Sequence, residues 1–111
     1  MIFITGPLYS GKRSFAEELL RCDDTALAER CAFDVHELAA ECADLEALAE
    51  RLSRCEIVTA AELGGGIVPL DPKEREARER AGRLSCLLAA RAGTVVRMFC
   101  GIPTVLKGEL P

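Results

Sequence analysis

The chain opens with a short apolar run that ends in a glycine-rich loop, and this junction constrains its fold more than any other feature. Residues 2–5 read Ile-Phe-Ile-Thr, and residues 6–12 read Gly-Pro-Leu-Tyr-Ser-Gly-Lys, which is the G-x-x-x-x-G-K spacing of a P-loop. Glycines let consecutive backbone N–H groups converge on one anion, and the lysine adds a positive charge. A helix predicted over 14–20 directs its positive end at the same point. The sequence therefore predicts a phosphate-binding loop between a strand and a helix.

The predicted ligand of this loop is a nucleoside triphosphate, ATP or GTP, with Lys12 and the loop amides holding the β and γ phosphates. The motif usually closes with Ser or Thr, whose hydroxyl coordinates Mg²⁺, but Arg13 stands in that place. Ser14 is a poor substitute because it lies about 100° further round the helix. The sequence thus supports binding better than catalysis and weakens the case for a Mg²⁺ cofactor. The predicted nucleotide-binding residues are Gly6, Pro7, Leu8, Tyr9, Ser10, Gly11, Lys12, Arg13 and Ser14.

Composition sets limits on partners and location. The chain has 111 residues, and we expect one domain over 1–111 with a small core. Half of the residues are apolar but only 5% are aromatic, which favours closely packed helices over a small sheet. A net charge of -4 and the alternation of arginine with glutamate over 75–91 argue against a nucleic-acid partner. No apolar run is long enough to span a membrane and the first residues form a core strand, so we expect a cytoplasmic protein without a membrane partner.

Most of the six cysteines fall on apolar positions, so the sequence predicts buried, reduced thiols that pack as small hydrophobes. They contain no C-x-x-C pair, and His36 is the only histidine, so the pattern differs from that of a zinc site.

The middle of the chain is read from its hydrophobic spacing. Residues 26–35 are ambiguous, because they fit either a short helix followed by a strand or a single poor strand. Apolar residues at helical spacing over 34–52 predict a helical segment. Residues 56–60 then read as a buried strand, and a glycine triplet at 64–66 follows them.

The last third has clearer boundaries. Asp71 is a predicted N-cap, Pro72 suits the first helical position and Glu74 can complete a capping box. An apolar stripe continues to Ala92, and Gly93 is placed to end the helix. Residues 94–99 predict another strand, and residues 104–107 a short edge strand. Strands that alternate with helices predict an α/β fold of the P-loop NTPase type, a small and mainly parallel sheet flanked by helices.

Two segments together resemble the adenosylcobinamide kinase/adenosylcobinamide-phosphate guanylyltransferase family of cobalamin biosynthesis. The opening strand and loop 2–12 resemble its P-loop, and Glu-Leu-Gly-Gly-Gly-Ile-Val-Pro at 62–69 is similar to its E-V-G-x-G-I-V-P signature. The sequences at 81–84, 101–103 and 106–107 resemble its later pieces. The resemblance covers about the first twenty residues and almost everything from Ile57 onward, whereas the middle shows no match and looks shortened.

The resemblance implies phosphoryl transfer from a nucleoside triphosphate to a hydroxyl of cobinamide. Lys12 and Glu62 would be the catalytic residues, with Glu62 orienting the acceptor or the metal. Asp34 would hold a metal ion at a strand end, or else would cap the next helix with Glu37 completing a capping box. Family members use a histidine as the carrier of GMP, but His36 lies outside that context and is interpreted as an ordinary residue at a helix start.

Two functional hypotheses follow. In the first, the chain is a kinase that has lost the guanylyltransferase step. In the second, it is a catalytically inactive relative that binds nucleotide and serves as a regulatory or assembly protein, an interpretation that Arg13 and the missing histidine segment favour. In either case, the resemblance implies a homo-oligomer and a possible corrinoid partner.

Overall fold

The structure is a computed structural model that describes residues 1–63 and 70–111. The glycine triplet at 64–66 and most of the signature at 62–69 therefore lie outside the described residues. The described elements are β1 (Ile2–Gly6), α1 (Lys12–Leu20), α2 (Asp24–Arg30), β2 (Cys31–Ala32), α3 (His36–Ala39), α4 (Leu45–Leu52), β3 (Ile57–Ala61), α5 (Pro72–Arg91), β4 (Thr94–Phe99) and β5 (Ile102–Lys107).

The strands form one sheet in the order β2-β3-β1-β4-β5. Ile2 is paired in parallel register with Ile57 on β3 and with Thr94 on β4. β2 also runs parallel to β3, and β5 alone runs antiparallel, returning from β4 as a hairpin at the edge. The prediction of an α/β fold of the P-loop type, with a small and mainly parallel sheet flanked by helices, is confirmed.

Helices cover both faces of this sheet, because side chains alternate along each strand. Phe3 points into a core shared with α3, α4 and α5, whereas Ile4 points into a second core shared with α1 and α2. The central strand β1 is thereby buried on both faces, which explains its continuous apolar run. No helix within residues 1–63 and 70–111 has the length and apolar character needed to cross a bilayer.

The ambiguous segment resolves as the first of its two interpretations, a short helix followed by a strand. Asp23 caps α2, since its carboxylate accepts a hydrogen bond from the amide of Ala26 at 2.8 Å. The two-residue strand β2 follows immediately and joins the sheet beside β3. A helix as short as α2 shows little hydrophobic periodicity, which is why the sequence pattern was ambiguous.

The single helical segment predicted over 34–52 is wrong at its centre. The chain forms α3 and α4, separated by residues 40–44. Asp44 causes the second start, because its carboxylate accepts from the amide of Ala47 at 3.2 Å and caps α4. Leu38, one of the apolar residues at helical spacing in this segment, is 50% exposed.

Helix α5 begins and ends close to its predicted limits. Asp71 caps it by accepting from the amide of Lys73 at 2.9 Å, and Pro72 is its first residue. The capping box with Glu74 is wrong, because that carboxylate lies 3.8 Å from Nη2 of Arg78 instead. Of the predicted inward stripe, Ala77 is only partly buried, whereas Ala81, Leu84, Leu88 and Ala92 are buried.

The cysteines are all free thiols, but they are not uniformly buried. Cys31 is buried in the core between the sheet and α2, and burial raises the pKa of its thiol. Cys86 and Cys100 are exposed, so the prediction of buried thiols is wrong for them. Cys86 lies within α5, and Cys100 lies in the turn between β4 and β5.

Candidate functional site

The loop over 6–11 turns the chain from β1 into α1 at the carboxyl edge of the sheet. Gly6 has a φ of +149°, and a Cβ there would collide with the carbonyl oxygen of Met98 and lie 2.9 Å from Oγ of Ser10. Only glycine fits this turn. The amide of Gly101 donates to the carbonyl oxygen of Ser10 at 3.0 Å, so the β4–β5 turn braces the loop from the side.

The first helix begins at Lys12, two residues before its predicted start. Gly11 is its N-cap and adopts the left-handed conformation with a φ of 93°. This turn brings the carbonyl oxygen of Gly11 within 3.0 Å of the amide of Phe15, which donates to it. The early start places both Lys12 and Arg13 in the first helical turn, beside the amides that a helix leaves unpaired.

Lys12 is only 7% exposed, and its side chain folds back over the loop. Its Nζ donates to the carbonyl oxygen of Pro7 at 2.7 Å, and it lies 3.4 Å from both the carbonyl oxygen of Gly6 and Oγ of Ser10. The ammonium group is thus fixed at the centre of the loop by acceptors that belong to the loop itself. An anion that arrived there would meet a positive charge already in position.

Burial lowers the pKa of Lys12, and the carboxylates of Asp34 and Glu62 oppose this shift through their negative charge. The structure therefore brings together the three side chains to which the sequence gave chemical roles. They come from the loop after β1, from the segment after β2 and from the residue after β3, since the carboxyl ends of parallel strands meet at one edge.

A cleft of about 360 Å³ opens beside the loop. Every predicted nucleotide-binding residue from Leu8 to Ser14 lines it, and Asp34 forms part of the facing wall. Gly6 and Pro7, the first two residues of the loop, do not line the cleft, and their carbonyl oxygens contact Nζ of Lys12. The remaining lining residues are Phe33, His36, Glu37 and Thr59.

Asp34 is an exposed carboxylate in an unusual backbone conformation. Its φ is +55°, and its amide donates to Oγ1 of the buried Thr59 at 3.0 Å. The next amide, that of Val35, donates to the carbonyl oxygen of Thr59 at 3.0 Å. The helix-cap interpretation of Asp34 is wrong, because Val35 is the N-cap of α3 and no side chain caps it. The carboxylate is left facing the cleft, and its role as a metal ligand stays a prediction.

His36 lies at the start of a helix, α3, as predicted, and it is buried there. Its Nδ1 accepts a hydrogen bond from the amide of Ala61 at 2.9 Å, which links α3 to the end of β3. A ring nitrogen that accepts such a bond leaves the proton of the neutral imidazole on Nε2. His36 therefore has a structural role in joining the start of α3 to the end of β3.

Glu62 makes a two-point ion pair with Arg97, a residue to which sequence reasoning gave no role. Nε of Arg97 lies 2.8 Å from Oε1 of Glu62, and Nη2 lies 2.9 Å from Oε2. The hydrogen bonds from Arg97 lower the pKa of the Glu62 carboxyl. The only sequence signal for this pair was one arginine in the otherwise apolar strand Thr94–Phe99, and its partner is 35 residues away.

We expect Glu62→Gln to lower the free energy of unfolding at neutral pH and to have little effect in acid. The folded-state pKa of Glu62 is depressed, so the stabilisation is present above the ordinary carboxyl pKa and is lost as the pH falls through the lowered value. Urea unfolding of both proteins across this range would show their stabilities converging below about pH 4. Glu50→Gln is the control, since this exposed carboxylate makes no side-chain ion pair within the described chain. A deficit that stays constant with pH would contradict the assignment.

Arg13 occupies the place where the motif usually has a hydroxyl. Its guanidinium carbon lies 4.5 Å from the centre of the Phe33 ring, and its Nε lies 3.5 Å from Oε1 of Glu17. Phe33 directly precedes Asp34, so the guanidinium lies on the wall that the loop and the carboxylate share. A cation–π contact of this kind holds the positive charge at the cleft.

Position 13, which usually supplies a magnesium ligand, does not fit that role in this chain, because it holds Arg13. Hard cations take oxygen ligands, and a guanidinium only donates hydrogen bonds and repels a neighbouring cation. The carboxylates that line the cleft are Asp34 and Glu37. Over 1–63 and 70–111, no group of three or more His, Cys, Asp or Glu side chains is arranged to hold a metal ion.

A larger cavity, of about 790 Å³, lies elsewhere, between the start of α4 and the middle of α5. Its charged lining consists of Asp44, Glu46, Glu79, Arg80 and Arg83. Arg80 is committed to structure, because its guanidinium donates to the carbonyl oxygens of Ala39 and Cys42. The smaller cleft is the better candidate site, since it combines the loop, a buried ammonium and a facing carboxylate.

The fold and the cleft define an α/β protein of the P-loop type. Comparison with known protein families matches residues 22–106 to the family described as cobinamide kinase / cobinamide phosphate guanyltransferase, and the chain belongs to this family. The matched range includes the middle segment, where motifs gave no resemblance, and it begins after the loop 6–12. Among curated proteins, no significant match was found. Membership supports a kinase or guanyltransferase role in cobalamin biosynthesis, with a nucleoside triphosphate and cobinamide as the substrates of the family.

Proposed function

We propose that this chain binds a nucleoside triphosphate in the cleft beside the loop and transfers its terminal phosphoryl group to a hydroxyl of cobinamide. The observation that carries the proposal is the position of Lys12, whose buried ammonium is held by loop carbonyls at the edge of a cleft that Asp34 also lines. Membership in the cobinamide kinase / cobinamide phosphate guanyltransferase family supports the identity of both substrates.

In this proposal Lys12 exchanges its contacts with Pro7 and Gly6 for oxygens of the β and γ phosphates. The hydroxyl oxygen of the acceptor attacks the γ phosphorus, and the bond from that phosphorus to the β–γ bridging oxygen breaks. The hydroxyl proton passes to Asp34, which is exposed in the cleft. Glu62 orients the acceptor, because its two bonds to Arg97 fix the carboxylate and hold it ionised.

Loss of the guanylyltransferase step is part of the proposal. In the family that the sequence resembles, a histidine carries GMP. His36 is the only histidine of this chain. The Nδ1 of His36 is occupied by the amide of Ala61, and its Nε2 carries the proton of the neutral ring. Neither nitrogen then offers a free lone pair for attack on phosphorus.

The non-catalytic alternative is also supported by one observation, the guanidinium of Arg13 at the position of the usual metal-binding hydroxyl. In that case, the chain binds nucleotide and acts as a regulatory or assembly protein. Self-association belongs to both versions. It is supported by the edge strand β5, whose side chains are exposed and include Ile102 and Leu106, at 66% and 58% exposure.

Turnover with labelled nucleotide separates the two versions. We expect label from the γ position of ATP or GTP to appear on cobinamide, and label from the α position of GTP to appear neither on cobinamide nor on the protein. Lys12→Ala should abolish the γ transfer, whereas Lys107→Ala, at the opposite edge of the sheet, should retain it. Nucleotide binding without γ transfer would favour the non-catalytic version, and α label on the protein would contradict the proposed loss.

A further inference from the structure

We infer that Arg13 takes the place of the divalent cation at the triphosphate, so that this chain binds the tail of the nucleotide without Mg²⁺. The inference rests on the proposed function, because it concerns the same cleft. Arg13 follows Lys12 in the first turn of α1 and lines the cleft together with the loop. The two residues put two positive charges beside the amides at the helix N-terminus, where a phosphate chain would lie.

The chemistry of the side chain suits this role. A guanidinium presents planar pairs of N–H donors that match two phosphate oxygens at once, whereas the usual Ser or Thr acts on phosphate only through the metal it ligates. The side chain of Arg13 is 58% exposed, and its contacts with Phe33 and Glu17 are a ring stack and an ion pair at 3.5 Å. Both contacts are weak enough to be exchanged for a highly charged anion.

The charges around Arg13 also disfavour a metal ion at this position. A divalent cation in this cleft would share it with two positively charged residues, Lys12 and Arg13, which line it. Both charges repel the cation, and water screens this repulsion less at the buried Lys12 than at the exposed Arg13. In this chain, the permanently charged side chain of Arg13 thus takes the place of both the usual hydroxyl and the Mg²⁺ that it would ligate.

The test is a fluorescence titration with methylanthraniloyl-labelled GTP and ATP, performed once with Mg²⁺ and once with EDTA. For the wild type, we expect the two dissociation constants to agree within about twofold. Arg13→Thr restores the usual hydroxyl, so we expect its affinity to be about tenfold weaker in EDTA than in Mg²⁺. Arg91→Thr is the matched control, because it removes an exposed arginine at the end of α5, away from the loop, and should behave as the wild type.

Each outcome decides the inference. If the wild type loses about tenfold in affinity in EDTA and Arg13→Thr loses the same amount, the role of Arg13 is overturned while nucleotide binding stands. A wild type that binds in neither buffer overturns the proposed function as well. Arg13→Lys keeps the charge without the planar fork, and metal-independent binding by this variant at reduced affinity would support the inference. Thermal unfolding verifies that each variant is folded. We expect the Arg13 variants to fold, because this side chain is exposed.

Discussion

Lys12→Ala is expected to weaken binding of ATP or GTP by about 100-fold, because a charge-assisted contact to phosphate oxygens is among the strongest that one side chain can make. The ammonium is already placed before any ligand arrives, held at 2.7 Å from the carbonyl oxygen of Pro7. The side chain of Lys12 is therefore already ordered in the free protein, and binding does not carry the entropic cost of ordering it. Isothermal titration calorimetry of both proteins measures the difference directly.

The loss should reflect the missing ammonium and not an unfolded protein. Burial lowers the pKa of Lys12, so the charged side chain is held at some cost to the folded state, and alanine removes that cost. Lys107→Ala is the matched control: its Nζ contacts carbonyl oxygens of Ala89 and Ala90 at 3.0 and 3.2 Å, at the opposite edge of the sheet. Equal affinities of the wild type and Lys12→Ala would contradict the proposed site.

The parts of the fold and site that followed from the sequence are those set by local chemistry. The loop between β1 and α1 followed from the spacing of Gly6, Gly11 and Lys12, because backbone geometry and charge act within a few residues. The start of α5 followed from Asp71 for the same reason, since an N-cap acts only on the next turn. A mainly parallel sheet followed from the alternation of strands with helices.

The parts that did not follow depend on contacts between distant residues. The pair of Glu62 with Arg97 joins the residue after β3 to a residue within β4, two strands that are separated by β1, and nothing local to either residue signals it. The stack of Arg13 on Phe33 likewise joins α1 to the segment after β2. The break before α4 was missed because the apolar spacing continues across it, while one hydrogen bond of Asp44 decides the new start.

Gly6→Ala is expected to reduce the free energy of unfolding by about 3–5 kcal/mol, the range in which a strained backbone and a steric collision act together. The residue has a φ of +149°, which side chains rarely adopt, and the new Cβ would overlap the carbonyl oxygen of Met98. That oxygen belongs to β4, and a strand paired on both sides cannot shift alone. Urea unfolding followed by circular dichroism measures the loss.

Gly82→Ala is the matched control, since it makes the same chemical change in an open place. Gly82 lies within α5, and an added Cβ would meet nothing within 4 Å. Alanine is the better helix former, so we expect this variant to gain about 0.5–1 kcal/mol. The two substitutions should thus move the stability in opposite directions. If Gly6→Ala matched Gly82→Ala, the tight turn at the end of β1 would not exist, and the loop would lack the curvature on which a converging set of amides depends.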